Sequence, residues 1–181
     1  MTQQLRSDYR GMFIEGDIEG VFIKKMETYA DNRGWLGELF RKDDPTLTLI
    51  HGNFRTQAGS PERTKFYPAM SYISITNPDV VRGPHEHREQ TDYFCFLGKF
   101  RLYLWDNRKG SPTHKNKKIL ENADRLIVVV PPGVVHAYKN TGEKDAIVLN
   151  FPDRLYGGWN KEEKVDEIRY EDDAESPFKI E

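Results

Sequence analysis

The sequence predicts an all-β fold: a sandwich or barrel of short strands, followed by a short C-terminal tail that is helical or extended. Three observations point this way. Apolar runs are short and recur at roughly 8–12-residue spacing. Clusters of Gly, Pro and Asn separate them. A 3.6-residue period persists almost nowhere. No internal repeat, linker or second domain is visible, and 181 residues suffice for one domain, 1–181, with a sizeable core.

Residues 1–12 are polar and expected to be poorly ordered. The first convincing strand starts at Val21-Phe22-Ile23, after Gly16 and Gly20. Asp31-Asn32-Arg33-Gly34 is a turn by composition. Trp35 to Arg41 reads as a strand with mixed faces, broken by Asp43-Asp44-Pro45. Residues 51–68 read as loop and contain His51. From Met70 to Thr76, Ser71, Ile73 and Ile75 alternate with Tyr72, Ser74 and Thr76, the period of a strand. Asn77-Pro78-Asp79 then turns the chain.

Phe94 to Leu97 is a buried strand by composition, and Gly98-Lys99 turns or bulges it. Phe100, Leu102 and Leu104 alternate with Arg101, Tyr103 and Trp105. Asp106 to Thr113 is a long turn, and the basic run Lys115, Lys117, Lys118 reads as a solvated hairpin tip. Leu126 to Val130, a continuous β-branched run, is a core strand. Pro131-Pro132-Gly133 ends it, Asn140-Thr141-Gly142 makes a tight turn, and Ala146 to Phe151 is the last clear strand. Lys161 to Ile168 reads as a short helix, with the rest of the charged stretch 159–176 extended.

Charge and cysteine content exclude several classes. Lys plus Arg number 27 and Asp plus Glu 29, a net charge of −2, so nucleic acid is not the expected partner. A small phosphorylated ligand needs only two or three well-placed arginines. The single Cys95 lies in an apolar run, so no disulfide forms within the chain and a reducing cytoplasm is expected. The stretch Met1 to Asp8 has no apolar core of a signal peptide, and no apolar run reaches membrane-spanning length. A soluble, cytoplasmic protein with no membrane partner follows as the expectation.

The chemistry gathers at Arg82-Gly83-Pro84-His85-Glu86-His87. Histidines at i and i+2 of an extended segment share a face. His136, after Pro131-Pro132-Gly133, opens another strand, so two strands can bring three imidazoles into one pocket of a jelly roll, with the ligand between the sheets. Three readings follow. Such a set suits a divalent ion. In metal-binding jelly rolls, however, the completing carboxylate stands seven residues before the glycine. That position is Thr91; Asp92 is one residue off, and one residue along a strand flips the face. The second reading is metal-free acid–base catalysis on a carbon acid. The third is purely structural, and it is the one adopted for His51 and His114.

Five segments in order resemble the dTDP-4-dehydrorhamnose 3,5-epimerase family, nucleotide-sugar epimerases and isomerases of the cupin jelly-roll type. They are Asp31-x-Arg33-Gly34-x-Leu36-x-Glu38-Leu39-Phe40, Val81-Arg82-Gly83-Pro84-His85, Asp106-x-Arg108-x-x-Ser111-Pro112-Thr113, Pro131-Pro132-Gly133-x-x-His136 and Asp173-Ala174-Glu175-Ser176-Pro177-Phe178. The resemblance implies an enzyme of deoxysugar or polysaccharide precursor synthesis, without metal or other cofactor, acting as a homodimer on a nucleotide-diphosphate sugar. The sugar's 4-keto group acidifies the neighbouring C–H bonds. His85 is the implied base, in a dyad with Asp173. His136, backed by Asp106, is the implied donor to the enolate oxygen. Arg33 and Arg82 are implied to hold the diphosphate, and Glu38 the nucleotide base, across a dimer interface.

Three positions depart from the family's pattern. Its general-acid tyrosine, counted without gaps from His136, falls on Leu149. Tyr156 is the first substitute and Tyr138 the second. Its lysine falls on Thr91, and its usual glutamine is His87. The His-x-His pair is similar to that of related 3,4-ketoisomerases, which makes His87 a candidate acid–base group. A metal-dependent cupin enzyme and a catalytically silent nucleotide-sugar-binding module are the alternatives.

Overall fold

The computed structural model describes residues 13–44 and 66–181. The expectations for residues 1–12, for His51 and for most of the loop 51–68 lie outside them. Among the described residues thirteen strands form: β1 Ile14–Glu15, β2 Phe22–Lys25, β3 Thr28–Asp31, β4 Gly34–Gly37, β5 Tyr72–Thr76, β6 Val81–Glu86, β7 Asp92–Leu97, β8 Phe100–Asp106, β9 Asn116–Leu120, β10 Leu126–Val130, β11 Val134–Asn140, β12 Ala146–Asn150 and β13 Ile168–Arg169. One sheet runs β1-β9-β8-β11-β6-β13 and a second β2-β10-β7-β12-β5, while β3 and β4 pair as a separate hairpin. This is the jelly-roll sandwich the sequence predicts. Its core lies between the two sheets, where Phe94, Phe96, Leu102, Leu104, Val128 and Val148 pack.

Both outer faces are partly covered as well. Tyr93, Cys95, Ile127 and Val129 turn outward from the five-stranded sheet and meet Met26, Phe66 and Phe40. Tyr103, Trp105, Val135 and Ala137 turn outward from the six-stranded sheet, and Phe178 of the tail covers them. Double-sided burial is why Phe94–Leu97 and Leu126–Val130 read as continuous apolar runs without alternation.

Several expectations are corrected. Lys117 and Lys118 lie inside β9, paired with β8, and not at a hairpin tip. The turn ends at Lys115, whose φ of 69° reverses the chain before the strand begins. Lys161 to Ile168 forms no helix. A single 3-10 turn at Trp159–Lys161 precedes an extended stretch. The mixed-face strand Trp35 to Arg41 shortens to β4. After Gly37 the chain leaves the hairpin to lay Leu39 and Phe40 on the outer cluster.

The β6–β11 pairing positions the site. His136 pairs with His85, but Tyr138 pairs with Arg82, so a one-residue irregularity falls between them. It puts Arg82 and His85, three apart, on the same cleft wall. Gly83 makes this possible. Its φ is 84°, and a Cβ there would sit 2.6 Å from the His136 carbonyl oxygen.

Candidate active site

A cleft of about 1100 Å³ opens between the sheets, lined by β5 from one and β6 and β11 from the other. His85 and His87 line its base, and His136 is buried behind them. Ring centroids are 4.4 Å apart for His85 and His136, 5.6 Å for His85 and His87, and 5.8 Å for His87 and His136. The predicted His85–His87–His136 set is therefore assembled.

The carboxylate facing it is Asp92, buried on β7 of the opposite sheet. Its Oδ2 lies 3.2 Å from His87 Nε2 and 3.4 Å from His136 Nε2. Its Oδ1 accepts from Gln90 Nε2 at 2.9 Å and Asn150 Nδ2 at 2.7 Å. This overturns the expectation that Asp92 faces away from the histidines. On β7 it shares a face with Phe94 and Phe96, and Thr91 shares the other with Tyr93 and Cys95. Both faces are apolar, so no polarity signal in the sequence marked the inward one.

One carboxylate neutralises one imidazolium. Burial disfavours charge on His87, but the hydrogen bond and charge of Asp92, with the Asp166 carbonyl on Nδ1, outweigh it and hold the ring up to about 9. His87 is thus charged at neutral pH. Burial pushes His136 below its ordinary value despite Asp92. Burial, reinforced by the neighbouring His136, pushes His85 down to about 2. The pocket therefore holds two neutral imidazoles beside an imidazolium–carboxylate pair.

Sequence reasoning paired His85 with Asp173; the structure does not. Asp173 is exposed in a turn, where its Oδ1 accepts the Glu175 N–H. Glu167 stands in its place, with Oε1 3.9 Å from His85 Nδ1 and Oε2 accepting from Arg169. Strand β13 brings it there by pairing Arg169 with His85. The two-residue strand sits in a run of charges, which left no signal in the sequence.

Asp106 does not back His136. It is fully buried, and its oxygens accept from Arg108 Nε, Ser111 Oγ and Thr113 Oγ1. Burial opposes its charge, but these donors hold it down to about 2. The segment Asp106 to Thr113 is thus a self-contained turn, and His136 Nδ1 faces the Val134 carbonyl instead.

Arg82 lines the cleft, with Nε donating to Thr76 Oγ1 and Nη2 to the Ile75 carbonyl. Tyr138 and Tyr156 also line it, the first buried and the second half-exposed at the mouth. Arg33 and Glu38 do not reach it. Arg33 is exposed and pairs with Asp31 in the β3–β4 hairpin, and Glu38 pairs with Arg41.

Two contributors were missed. Tyr72 on β5 faces the cleft, and Asn150 on β12 donates to its phenol oxygen at 2.8 Å. Leu149 turns to the opposite face and packs on the outer cluster. The polar Tyr72, Ser74, Thr76 face, legible in the sequence, was the available signal. Asp166 is the other: its carboxylate accepts the backbone N–H groups of Arg88, Glu89 and Gln90 at 2.9, 2.8 and 3.0 Å. It ties the loop that carries Tyr156 and Trp159 over the cleft to His87.

The ring nitrogens of His85, His87 and His136 lie within 4.8 Å of one another, a set able to close on a divalent ion. The same geometry, with His85 on the cleft wall and a carboxylate behind it, also suits proton transfer at a bound carbon acid.

Comparison with known proteins agrees. A family model described as dTDP-4-dehydrorhamnose 3,5-epimerase matches residues 15–175. The probable low-salt glycan biosynthesis epimerase Agl13 of Haloferax volcanii is 29% identical over 77% of this chain and 81% of its own. The spore coat polysaccharide biosynthesis protein SpsL of Bacillus subtilis is 27% identical over 81% of this chain and 87% of its own. A crystal structure of a dTDP sugar isomerase from Desulfovibrio desulfuricans superposes with a TM-score of 0.67 at 20% identity, covering 91% of both chains.

Proposed function

The chain belongs to the dTDP-4-dehydrorhamnose 3,5-epimerase family, and on that premise we propose that its cleft binds a nucleotide-linked 4-keto-sugar and moves a proton at the carbon next to the ketone. It is an enzyme of the nucleotide-sugar epimerase type, serving deoxysugar or polysaccharide precursor synthesis. The observation that carries the reading is His85: a neutral imidazole on the cleft wall, with a carboxylate behind it at 3.9 Å.

His85 is the base. Its neutral imidazole has a lone pair free to take the proton, and the charge it gains is offset by Glu167 and by the enolate it creates. His87, held as an imidazolium, adds a fixed positive charge beside that enolate, and His136 packs against His85 from outside the cleft lining. Arg82 spends two of its N–H groups within the protein, which leaves others for the diphosphate. Tyr138 and Tyr156 contact the sugar nucleotide from the wall and the mouth.

The hairpin carrying Arg33 exposes Tyr29, Trp35 and Leu36 by half or more. A homodimer, in which this hairpin and Glu38 reach the partner's cleft, accounts for both the exposed apolar surface and their distance from their own. Among the described residues no helix is long and apolar enough to cross a membrane, and we place the enzyme in the cytoplasm.

The test is His85→Asn, assayed in D2O with a nucleotide-linked 4-keto-sugar. Deuterium incorporation next to the ketone should vanish while nucleotide binding persists. Exchange that continues in this variant would show that His85 is not the base.

A further inference from the structure

We propose that Tyr72 is the general acid that delivers a proton to the sugar carbon from the face opposite His85. This rests on the proton-transfer reading above and names a residue it leaves unassigned. Among the described residues three tyrosines line the cleft: Tyr72, Tyr138 and Tyr156. Tyr138 stands on β11, beside β6 in the sheet that carries His85. Tyr156 stands in the loop after β12, on neither sheet. Tyr72 alone of the three stands on the other sheet, across the cleft from His85. Inverting a carbon centre takes the proton from one face and returns one to the other, which requires groups on two walls.

The hydrogen bonding around Tyr72 orients its proton. Asn150 Oδ1 accepts the backbone N–H of Tyr93 at 3.1 Å. This fixes the amide, so its Nδ2 is the group that donates to Tyr72 Oη at 2.8 Å and to Asp92 Oδ1 at 2.7 Å. The phenol oxygen is an acceptor on that side, and its own O–H is left for the cleft. When Tyr72 gives up the proton, the same Asn150 donor remains in place to hold the phenolate. A tyrosine phenol is protonated at neutral pH, and partial burial with the nearby Asp92 charge raises this one further. Register puts Asn150 and Tyr72 side by side across β12 and β5. The acid thus comes from the strand next to the one on which the resemblance expects it.

The proton balance is complete. A C–H hydrogen passes to His85 as the electron pair enters the enolate. The Tyr72 O–H hydrogen passes to that carbon from the other face, the enolate returns to ketone, and solvent reprotonates the phenolate and deprotonates His85.

The experiment is Tyr72→Phe in D2O, following deuterium incorporation and stereochemistry by NMR, with nucleotide binding confirming a folded protein. His85 still removes the proton and returns a deuteron to the same face. Exchange should therefore stay within a few fold of wild type while epimer formation falls about 10²–10⁴-fold. Tyr138→Phe and Tyr156→Phe remove substrate contacts and should raise KM, but the ratio of epimer formed to deuterium exchanged should stay that of wild type. Epimer formation by Tyr72→Phe within about tenfold of wild type, or loss of inversion in either of the other variants with Tyr72→Phe unaffected, would overturn the assignment and leave the reaction class standing. Wild-type protein that exchanges no 4-keto-sugar nucleotide would overturn both.

Discussion

Replacing Asp92 with Asn removes the carboxylate that faces two histidines, and the consequence is readable as stability against pH. In the folded chain His87 is held up to about 9, against about 6.5 when unfolded. The gap of about 2.5 pH units, at about 1.4 kcal/mol for each, corresponds to about 3 kcal/mol. Because the folded value is the raised one, that stability is fully present below about pH 6.5 and is lost as pH rises through 9. About 2 kcal/mol of it disappears between pH 7 and pH 9. In Asp92→Asn the ion pair is gone, and burial drives His87 toward the neutral form. The variant should be about 3–5 kcal/mol less stable than wild type at pH 7, the cost of breaking a buried pair. The difference between the two proteins should shrink by about 2 kcal/mol at pH 9. Urea unfolding at both pH values measures it, and titrating groups away from Asp92 cancel in the difference. A difference that is the same at pH 7 and pH 9 would refute the pairing of His87 with Asp92.

Two further outcomes follow from the same structure. Asp166→Ala strands three backbone N–H groups and frees the loop over the cleft, so it should lose about 1–3 kcal/mol by chemical denaturation. KM for the sugar nucleotide should rise, because Tyr156 and Trp159 sit on that loop. Phe178→Ala uncovers the outer face of the six-stranded sheet, away from the cleft. It should cost about 3–5 kcal/mol in unfolding experiments, with kcat/KM unchanged at temperatures where the protein stays folded.

The strand inventory and the three histidines were legible in the sequence because both rest on local rules. Turn residues punctuate the chain, and an i, i+2 spacing on an extended segment puts His85 and His87 on one face. The family followed from five short segments in order. What surrounds the histidines was not legible, because it depends on which of two apolar faces turns inward and on long-range register. Asp92 looked misplaced by one residue, since Tyr93, Phe94, Cys95 and Phe96 are all buried and no polarity pattern marks the pocket side.

The remaining decisions are tertiary in the same sense. Glu167 displaced Asp173 as the neighbour of His85 because β13 pairs Arg169 with His85, a contact between residues 84 positions apart. Asp106 turned out to brace its own turn because Arg108, Ser111 and Thr113 fold back on it. Tyr72 took its place because β5 lies beside β12 at the edge of the opposite sheet. The sequence by itself determined a jelly roll with a histidine pocket and the family it serves. Only the packing of two sheets face to face decided which carboxylates charge those histidines and which tyrosine looks at them from across the cleft, since burial and proximity are properties of the folded chain.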